Sequence, residues 1–242
     1  MRVGVISDIH GNAAALETVL DTLEEDEVEA VWCLGDLVGY GPEPNRCCEL
    51  VAHHCDLCLV GNHDLGVIGA IPLDEFSPDA AAAARWTQTV LTDYSRAYLE
   101  SLEPQAEVEG AELYHASPRD PIWDYVLSEP VARESLEITH APLVMVGHSH
   151  VPLAMILENG RAAGGLAPGG HEVDLTRGRW LLNPGSVGQP RDNDPRAAYV
   201  VLDSEAERAE FRRTEYPLER TQEAIREQGL PETLAQRLAL GL

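Results

Sequence analysis

Short polar stretches that could bind a metal ion or a phosphate occur where apolar segments of the chain end. The central stretch is Gly61-Asn62-His63-Asp64, which directly follows Leu59-Val60. A strand that ends in this tetrapeptide would place its side chains at the carboxyl edge of a sheet, where open α/β folds bind ligands. The same residues are also ordinary turn formers. Four further stretches share the pattern: Asp8-Ile9-His10, Gly35-Asp36, His115 and Gly147-His148-Ser149-His150.

The candidate ligands in these stretches combine carboxylate and imidazole groups. This donor set suits Mn²⁺, Fe, Zn²⁺, Co²⁺ or Ni²⁺ better than Ca²⁺. Two such ions, roughly 3.5–4 Å apart, can hold a hydroxide between them and contact both oxygens of an in-line phosphoryl displacement. The bridging ligand must be an anionic oxygen donor, which leaves Asp36 or Asp8. The candidates, too many for one ion with an open position, are Asp8, His10, Asp36, Asn62, His115, His148 and His150.

Each candidate ligand also has a purely structural interpretation. The two aspartates could cap loops, Asn62 could be a turn residue, and His115 could be a buried histidine with satisfied hydrogen bonds. His148 and His150 are harder to explain in this way, because they follow four apolar residues and can face one site if the backbone bends at Ser149. The occurrence of all five stretches in one chain favours the metal site.

The apolar pattern predicts the elements that would position these residues. Strands over 2–7, 30–34 and 56–60 alternate with helices over 13–25 and 43–53, which indicates a parallel sheet with right-handed crossovers. Strands over 112–114 and 143–146 flank a helix over 128–138. From residue 151 the pattern becomes antiparallel, with a hairpin turn at 158–160. Further strands are predicted over 171–175, 180–182, 198–202 and 209–214.

The whole chain, residues 1–242, is interpreted as one domain with two helical additions. Ser77-Pro78 is an N-cap and N1 pair that opens a helical insert over about 77–103. This insert could place Trp86 or Tyr94 near a substrate, although Trp86 is more readily explained as a core residue. A C-terminal helical extension covers about 217–242. The predicted fold class is α/β: a four-layer α-β-β-α sandwich of two mixed sheets flanked by helices.

Composition limits the partners. The 242 residues have a formal net charge of −24, which repels nucleic-acid phosphates and disfavours binding of long DNA or RNA. No apolar run reaches membrane-spanning length, and the N-terminal segment does not resemble a signal peptide, so we expect a cytoplasmic protein. The leucines Leu234, Leu238 and Leu240 could pack on the core or on a second copy of the chain, which leaves a homo-oligomer open.

The five stretches together resemble the motifs of the calcineurin-like metallophosphoesterase superfamily, and Asn183-Pro184-Gly185-Ser186-Val187-Gly188 resembles a further segment of its small bacterial and archaeal, phosphodiesterase-like branch. The resemblance implies a metallo-dependent phosphatase-like fold in which Asp36 bridges two metals. His63 would face the leaving-group oxygen as a proton donor or electrostatic stabiliser, and Asp64 would orient His63. The implied ligands are Asp8, His10 and His150 for the first metal and Asn62, His115 and His148 for the second.

One position departs from the pattern of the eukaryotic Ser/Thr phosphatases in this superfamily. Tyr40 stands where their motif has a phosphate-binding arginine, so a neutral hydroxyl replaces a cationic fork. Arg119 or Arg191 could substitute from other loops, or could be surface or structural arginines. The loss of the arginine favours diesters, which carry one negative charge fewer than monoesters.

The expected function is therefore hydrolysis of phosphate esters, diester or monoester, by attack of a metal-bridging hydroxide. A small phosphate-ester substrate agrees better with the net charge of −24 than a nucleic acid does. An alternative substrate class is a Ser/Thr phosphoprotein. A second hypothesis is a non-catalytic, metal-binding interaction scaffold with the same fold, although every expected ligand and His63 are present.

Overall fold

Two six-stranded mixed sheets form the centre of the computed structural model, which describes residues 1–108 and 110–242. The first sheet has the order β3-β2-β1-β11-β12-β9. Its strands β1, β2 and β3 are parallel, and β11, β12 and β9 add to it antiparallel. Its strands are β1 (Arg2–Ile6), β2 (Ala30–Cys33), β3 (Leu57–Cys58), β9 (Glu172–Asp174), β11 (Ala197–Asp203) and β12 (Arg208–Thr214).

The second sheet has the order β4-β5-β6-β10-β7-β8. Strands β5, β6 and β10 are parallel to one another, whereas β4, β7 and β8 are antiparallel to their neighbours. Its strands are β4 (Gln105–Val108), β5 (Ala111–Tyr114), β6 (Leu143–Val146), β7 (Leu153–Glu158), β8 (Arg161–Leu166) and β10 (Arg179–Asn183).

Helices lie along the outer faces of both sheets. Side chains alternate between the faces of a strand, so Val3 and Val5 of β1 face the second sheet while Ile6 packs towards α1 and α2. On the far side, α6 packs on β6, β7 and β10. The helices are α1 (Ala13–Glu25), α2 (Pro44–His54), α3 (Asn62–Ile68), α4 (Pro78–Val90), α5 (Asp93–Glu100), α6 (Glu129–Ile138), α7 (Leu218–Glu227) and α8 (Glu232–Leu240). The predicted four-layer α/β sandwich is confirmed.

The carboxyl ends of parallel strands from the two sheets meet at one edge of the sandwich. Within each sheet the backbone pairing continues past the strand ends, because the N–H of Asp8 donates to the Gly35 carbonyl oxygen and the N–H of Gly147 donates to the His115 carbonyl oxygen, at 3.0 and 2.8 Å. Between the sheets, the N–H of Gly188 in the loop after β10 donates to the Asp8 carbonyl oxygen at 3.0 Å. This edge is where the sequence places the candidate ligands, and the two sheets contribute ligands from opposite sides.

Two elements of the fold, α3 and β4, are absent from the sequence-based prediction. The third strand pairs only over Leu57–Cys58, and the short helix α3 begins at Asn62. Asp64 caps this helix, since its side chain accepts the Gly61 N–H at 3.0 Å. Seven residues are too few to show helical periodicity in the sequence. Strand β4 is the second addition; it lies at the edge of the second sheet and is half-exposed.

The C-terminal helices α7 and α8 pack on α4 and on Tyr40. Leu234 and Leu238 are buried in this contact together with Ile225, whereas Leu240 is 57% exposed. Two of the three C-terminal leucines therefore pack within the chain. Within the described ranges, no helix combines the length and the apolar character needed to cross a membrane.

The packing of α8 gives a matched pair of substitutions. Leu238→Ala removes buried methyl groups and should lower the free energy of unfolding by about 2–5 kcal/mol. Leu240→Ala, at an exposed position two residues on, should change it by less than about 0.5 kcal/mol. Urea unfolding followed by circular dichroism measures both. Equal effects of the two substitutions would contradict the packing of α8 on the chain.

Candidate metal centre

Two clusters of metal-competent side chains lie side by side at the carboxyl edge, and Asp36 belongs to both. The first cluster comprises Asp8, His10, Asp36 and His150, and the second comprises Asp36, His115 and His148. In each cluster the ligand atoms lie within 4.8 Å of one another and every residue is buried. Asn62 extends the second cluster, because its Oδ1 lies 3.3 Å from Nε2 of His115. The structure thus brings together all seven candidate ligands.

Backbone carbonyl groups orient three of the four histidines. Nδ1 donates to the Val38 oxygen in His10 (3.0 Å), to the Leu34 oxygen in His115 (2.8 Å) and to the Gln189 oxygen in His150 (2.7 Å). A proton fixed on Nδ1 leaves the lone pair of Nε2 free to bind a metal. The Nε2 atoms converge accordingly: His10 and His115 each lie 3.6 Å from Oδ2 of Asp36, and the Nε2 atoms of His10 and His150 are 3.0 Å apart.

The buried position of the site disfavours charge on its side chains. Burial raises the pKa of Asp8 to about 7 and, together with the charge of Asp64, raises the pKa of Asp36 well above its usual range. Burial also lowers the pKa of His10 and His150 strongly, and the pKa of His148 to about 2. A divalent cation reverses this preference at the carboxylates and binds the neutral imidazoles.

Six residues of this edge adopt a left-handed backbone conformation that non-glycine residues rarely take. Asp8, His10, Asp36, Tyr40, His148 and His150 have φ angles between 50° and 63°. Each such residue costs on the order of 1 kcal/mol or more and persists only where the surrounding structure fixes it. Five of the six are candidate ligands, so the backbone turns at each strand end direct these side chains inward.

Glycines allow the backbone to approach the ligands closely. A Cβ atom at Gly61 would lie 2.1 Å from Oδ1 of Asp36, and one at Gly147 would lie 2.2 Å from Oγ of Ser7 and 3.2 Å from Oδ2 of Asp8. The neighbouring N–H groups then bind the carboxylates: His63 N–H donates to Asp36 Oδ1 at 2.9 Å, and His148 N–H donates to Asp8. The glycines in both motifs are therefore part of the site.

Two ligand atoms at the centre have no hydrogen-bond partner among the described residues. They are Oδ2 of Asp36 and Nε2 of His148, both fully buried. Buried polar atoms are normally paired. Asp36 Oδ2 is a carboxylate oxygen shared by both clusters, and His148 Nε2 is an imidazole nitrogen of the second cluster. Divalent transition metals bind both kinds of atom, so the donor set fits such ions.

His63 lies beside the clusters and contributes to neither. Its ring contacts the rings of His10, Tyr40 and Phe76, with centroids 4.5–4.9 Å apart. Nδ1 is buried against Gly39, where an added Cβ atom would lie only 2.5 Å away, and Nδ1 has no partner among the described residues. The ring is thus held in place by edge-to-face and tilted aromatic contacts and by the close approach of the backbone.

Asp64 fixes the backbone around His63. Its two carboxylate oxygens accept the N–H groups of Val38 and Gly61, both at 3.0 Å. Within residues 1–108 and 110–242, no hydrogen bond joins Asp64 to the His63 ring. Any orienting effect of Asp64 on His63 therefore acts through the loops that Asp64 ties together.

The two arginines considered as substitutes at position 40 differ in location. Arg191 donates to the Tyr40 hydroxyl at 3.3 Å, and its backbone N–H donates to the His150 carbonyl oxygen at 3.2 Å. Arg119 pairs instead with Glu134 and Asp124 at the surface. Arg191 is therefore the arginine beside the metal centre, and Arg119 is not.

The aromatic residues at the site are not the ones suggested by the sequence. Trp86 packs with the C-terminal helices, and Tyr94 is 58% exposed on α5. Tyr125 stacks on His148 with ring centroids 4.2 Å apart, and Phe76, next to His63, contacts Trp123. Tyr125 and Phe76 carry no motif that would distinguish them in the sequence, since loops that fold over the edge bring them there.

The comparisons with known proteins agree with this geometry. The sequence model of the calcineurin-like phosphoesterase superfamily domain matches residues 1–207. The chain belongs to the calcineurin-like phosphoesterase superfamily. An uncharacterized protein of Methanocaldococcus jannaschii is 38% identical to this chain over 244 residues. The match covers 99% of this chain and 98% of that protein. The resemblance inferred from the motifs is confirmed.

Solved structures of similar chains support the same assignment. A metallophosphoesterase from Sphaerobacter thermophilus is 42% identical and superposes with a TM-score of 0.91, covering 100% of this chain and 99% of that chain. A hypothetical protein from Pyrococcus horikoshii OT3 has a TM-score of 0.81 at 22% identity, covering 100% and 98%, and shares the fold. Family membership and the buried Asp/His clusters together support metal-dependent phosphoester hydrolysis.

The close approach at Gly61 predicts a loss of metal affinity on substitution. Gly61→Ala would force Asp36 to move, and we expect metal binding to weaken by about 10–100-fold. Titration of the chelated protein with Mn²⁺, followed by calorimetry and metal analysis, measures this. Gly165→Ala, at a position where a Cβ would meet nothing within 4 Å, is the control and should bind metal normally. Unchanged affinity in Gly61→Ala would show that Asp36 can bind metal from a shifted position.

Proposed function

We propose that this protein hydrolyses phosphate esters with two divalent metal ions bound at the carboxyl edge. The observation that carries the proposal is the shared carboxylate: Asp36 contributes to both clusters, and its Oδ2 has no partner among the described residues. A carboxylate common to two adjacent imidazole-containing clusters is the ligand arrangement that a two-metal site requires.

The clusters support a specific division of the ligands. Asp8, His10 and His150 would bind one ion, and Asp36 would be shared. The second ion would be bound by Asn62, His115 and His148, which come from α3 and from strand ends of the second sheet. Bound at these residues, the ions would lower the pKa of a water molecule and neutralise charge on the phosphoryl oxygens. Mn, Zn, Fe, Ni and Co all suit this donor set.

His63 is the proposed proton donor or electrostatic stabiliser for the leaving-group oxygen. Because Nδ1 is buried against Gly39, Nε2 is the ring nitrogen that can face a substrate. Burial lowers the pKa of His63, so the ring is neutral in the protein alone. The negative charge of a bound phosphate would favour protonation of the ring and so prepare it to donate to the leaving group.

Arg191 and Tyr40 are the proposed ligands of the phosphoryl oxygens. A hydrogen bond joins the two residues beside His10 and His63. Arg191 thus supplies the positive charge that Tyr40 itself lacks. Arg191 at this place is compatible with a diester monoanion and with a monoester dianion. We favour small diesters, because the net charge of −24 disfavours long nucleic acids; Ser/Thr phosphoproteins are the alternative class.

Hydrolysis of two chromogenic esters tests the proposal. The chelated protein, reloaded with Mn²⁺, Ni²⁺ or Zn²⁺, should hydrolyse bis-p-nitrophenyl phosphate faster than p-nitrophenyl phosphate. Faster cleavage of the monoester would favour phosphomonoesters and make phosphoproteins the first candidates. Metal binding without hydrolysis of either ester would contradict the proposal and support a non-catalytic scaffold.

The role of His63 predicts a separation of turnover from metal binding. His63→Ala should lower kcat by about 10²–10⁴-fold, the usual contribution of a positioned proton donor, while the metal content stays at the wild-type level. His140→Ala removes an exposed histidine at the amino end of β6, opposite to the end that carries His148, and should leave both quantities unchanged. Loss of metal from His63→Ala would instead identify His63 as a ligand.

A further inference from the structure

Two arginines from distant parts of the chain converge on Tyr40 beside the metal centre. Arg191 lies in the loop between β10 and β11, and Arg237 lies on α8. The Cζ atom of each guanidinium lies 5.8 Å from the centroid of the Tyr40 ring. That ring is itself 4.5 Å from the ring of His63 and 4.7 Å from the ring of His10. The pair therefore lies at the edge of the proposed reaction site.

The end of α8 is fixed directly against the loop that carries Arg191. The N–H of Asn193 donates to the Gly241 carbonyl oxygen at 3.0 Å, and a Cβ at Gly241 would lie 2.6 Å from the Asp194 nitrogen. Arg213, whose side chain is 2% exposed, forms an ion pair with Asp192 in the same loop. These contacts fix the end of α8 against the loop that carries Arg191, so the fold itself keeps the two arginines close together.

The two guanidinium groups have few partners of their own. Across the described ranges, no carboxylate side chain lies within 4.0 Å of either group. Arg191 binds the Tyr40 hydroxyl and Gln189, and its buried Nε has no partner there. Arg237 uses Nε to bind the main-chain oxygen of Leu242, the last residue of the sequence, at 2.8 Å, and its terminal nitrogens have no hydrogen bond to the described residues. Two neighbouring guanidinium groups with no carboxylate side chain within 4.0 Å among the described residues can attract an anion.

Arg237 lies outside residues 1–207, the part of the chain that matches the superfamily domain. The C-terminal helices thus add a cation to an edge whose metal-competent residues all lie within the matched part. Arg191, bound to Tyr40 and to the His150 backbone, is the arginine tied to the metal centre, whereas Arg237 is attached to the outer helix. If Arg191 binds the scissile phosphoryl group, Arg237 remains available to bind a second anionic group of the substrate.

We propose that Arg237, together with Arg191, forms a subsite for a second phosphoryl group, so that the substrate is a phosphate ester carrying an additional phosphoryl group next to the scissile one. The inference rests on the proposed function for the identity of the scissile site. It assigns to α8 a role in substrate selection. The competing explanation is structural: the arginines stack on Tyr40 by cation–π contacts and select nothing.

Binding of two nucleotides tests the subsite without requiring turnover. The 242-residue chain, reloaded with Mn²⁺, is titrated by calorimetry with adenosine 5′-monophosphate and with the non-hydrolysable α,β-methylene adenosine 5′-diphosphate. The measured quantity is the Kd of the monophosphate divided by the Kd of the diphosphate analogue, determined for wild type and for Arg237→Gln. Metal chelation by the diphosphate analogue contributes equally to both proteins, so the change in the ratio reports Arg237. We expect the ratio to fall by about tenfold or more, as for a lost charge-assisted hydrogen bond.

Two further variants separate charge from structure. Arg177→Gln removes one positive charge from a side chain that is 73% exposed, and should keep the wild-type ratio. Arg237→Lys keeps the charge and should restore part of the preference. Thermal melting of every variant confirms that it is folded.

The possible outcomes are distinct. An unchanged ratio in Arg237→Gln, or an equal loss of affinity for both nucleotides, overturns the subsite and supports the structural explanation. Hydrolysis of bis-p-nitrophenyl phosphate by the same preparations reports separately on the proposed function. If the ratio falls in Arg237→Gln but no preparation hydrolyses the ester, the proposed hydrolytic function is contradicted and the anion subsite is supported.

Discussion

Two carboxylates and four imidazoles are buried together at the meeting point of the two sheets, and a bound divalent cation would stabilise this combination of groups. Burial raises the pKa of Asp8 and Asp36 and lowers that of the surrounding histidines, so the protein alone disfavours charge on these groups. A divalent ion stabilises the carboxylate form and uses the imidazole lone pairs. The polar atoms left without partners among the described residues, Asp36 Oδ2 and His148 Nε2, lie where such a ligand would bind.

The backbone is arranged around this requirement. Left-handed residues at the strand ends direct the ligands inward, and Gly61 and Gly147 let neighbouring N–H groups reach the two aspartates. Such conformations are costly in isolation and depend on the parallel strands, the cap at Asp64 and the hydrogen bonds between loops. The rigidity of the sandwich therefore supports the precision of the site.

The contacts of Tyr40 connect the candidate metal centre to two arginines from later parts of the chain. Tyr40 contacts His10 and His63, binds Arg191, and lies beneath the C-terminal helix that carries Arg237. A neutral hydroxyl at position 40 thus comes with two arginines from other parts of the chain. In the function proposed for this chain, the metal ligands lie at the strand ends, whereas the groups that would select the substrate lie in loops and on the C-terminal helices.

The sequence by itself determined the α/β class, most strands and helices, and the seven candidate ligands, because periodicity and strand-end motifs are local signals. It could not show helix α3, which is short, or the distinction between Arg191 and Arg119, which both lie in loops with no periodic pattern. It likewise pointed to Trp86 and Tyr94, whereas Phe76 and Tyr125 lie at the site. Only the tertiary structure decided these, because contacts between residues far apart in the chain depend on how sheets, loops and terminal helices pack, and no local pattern encodes that arrangement.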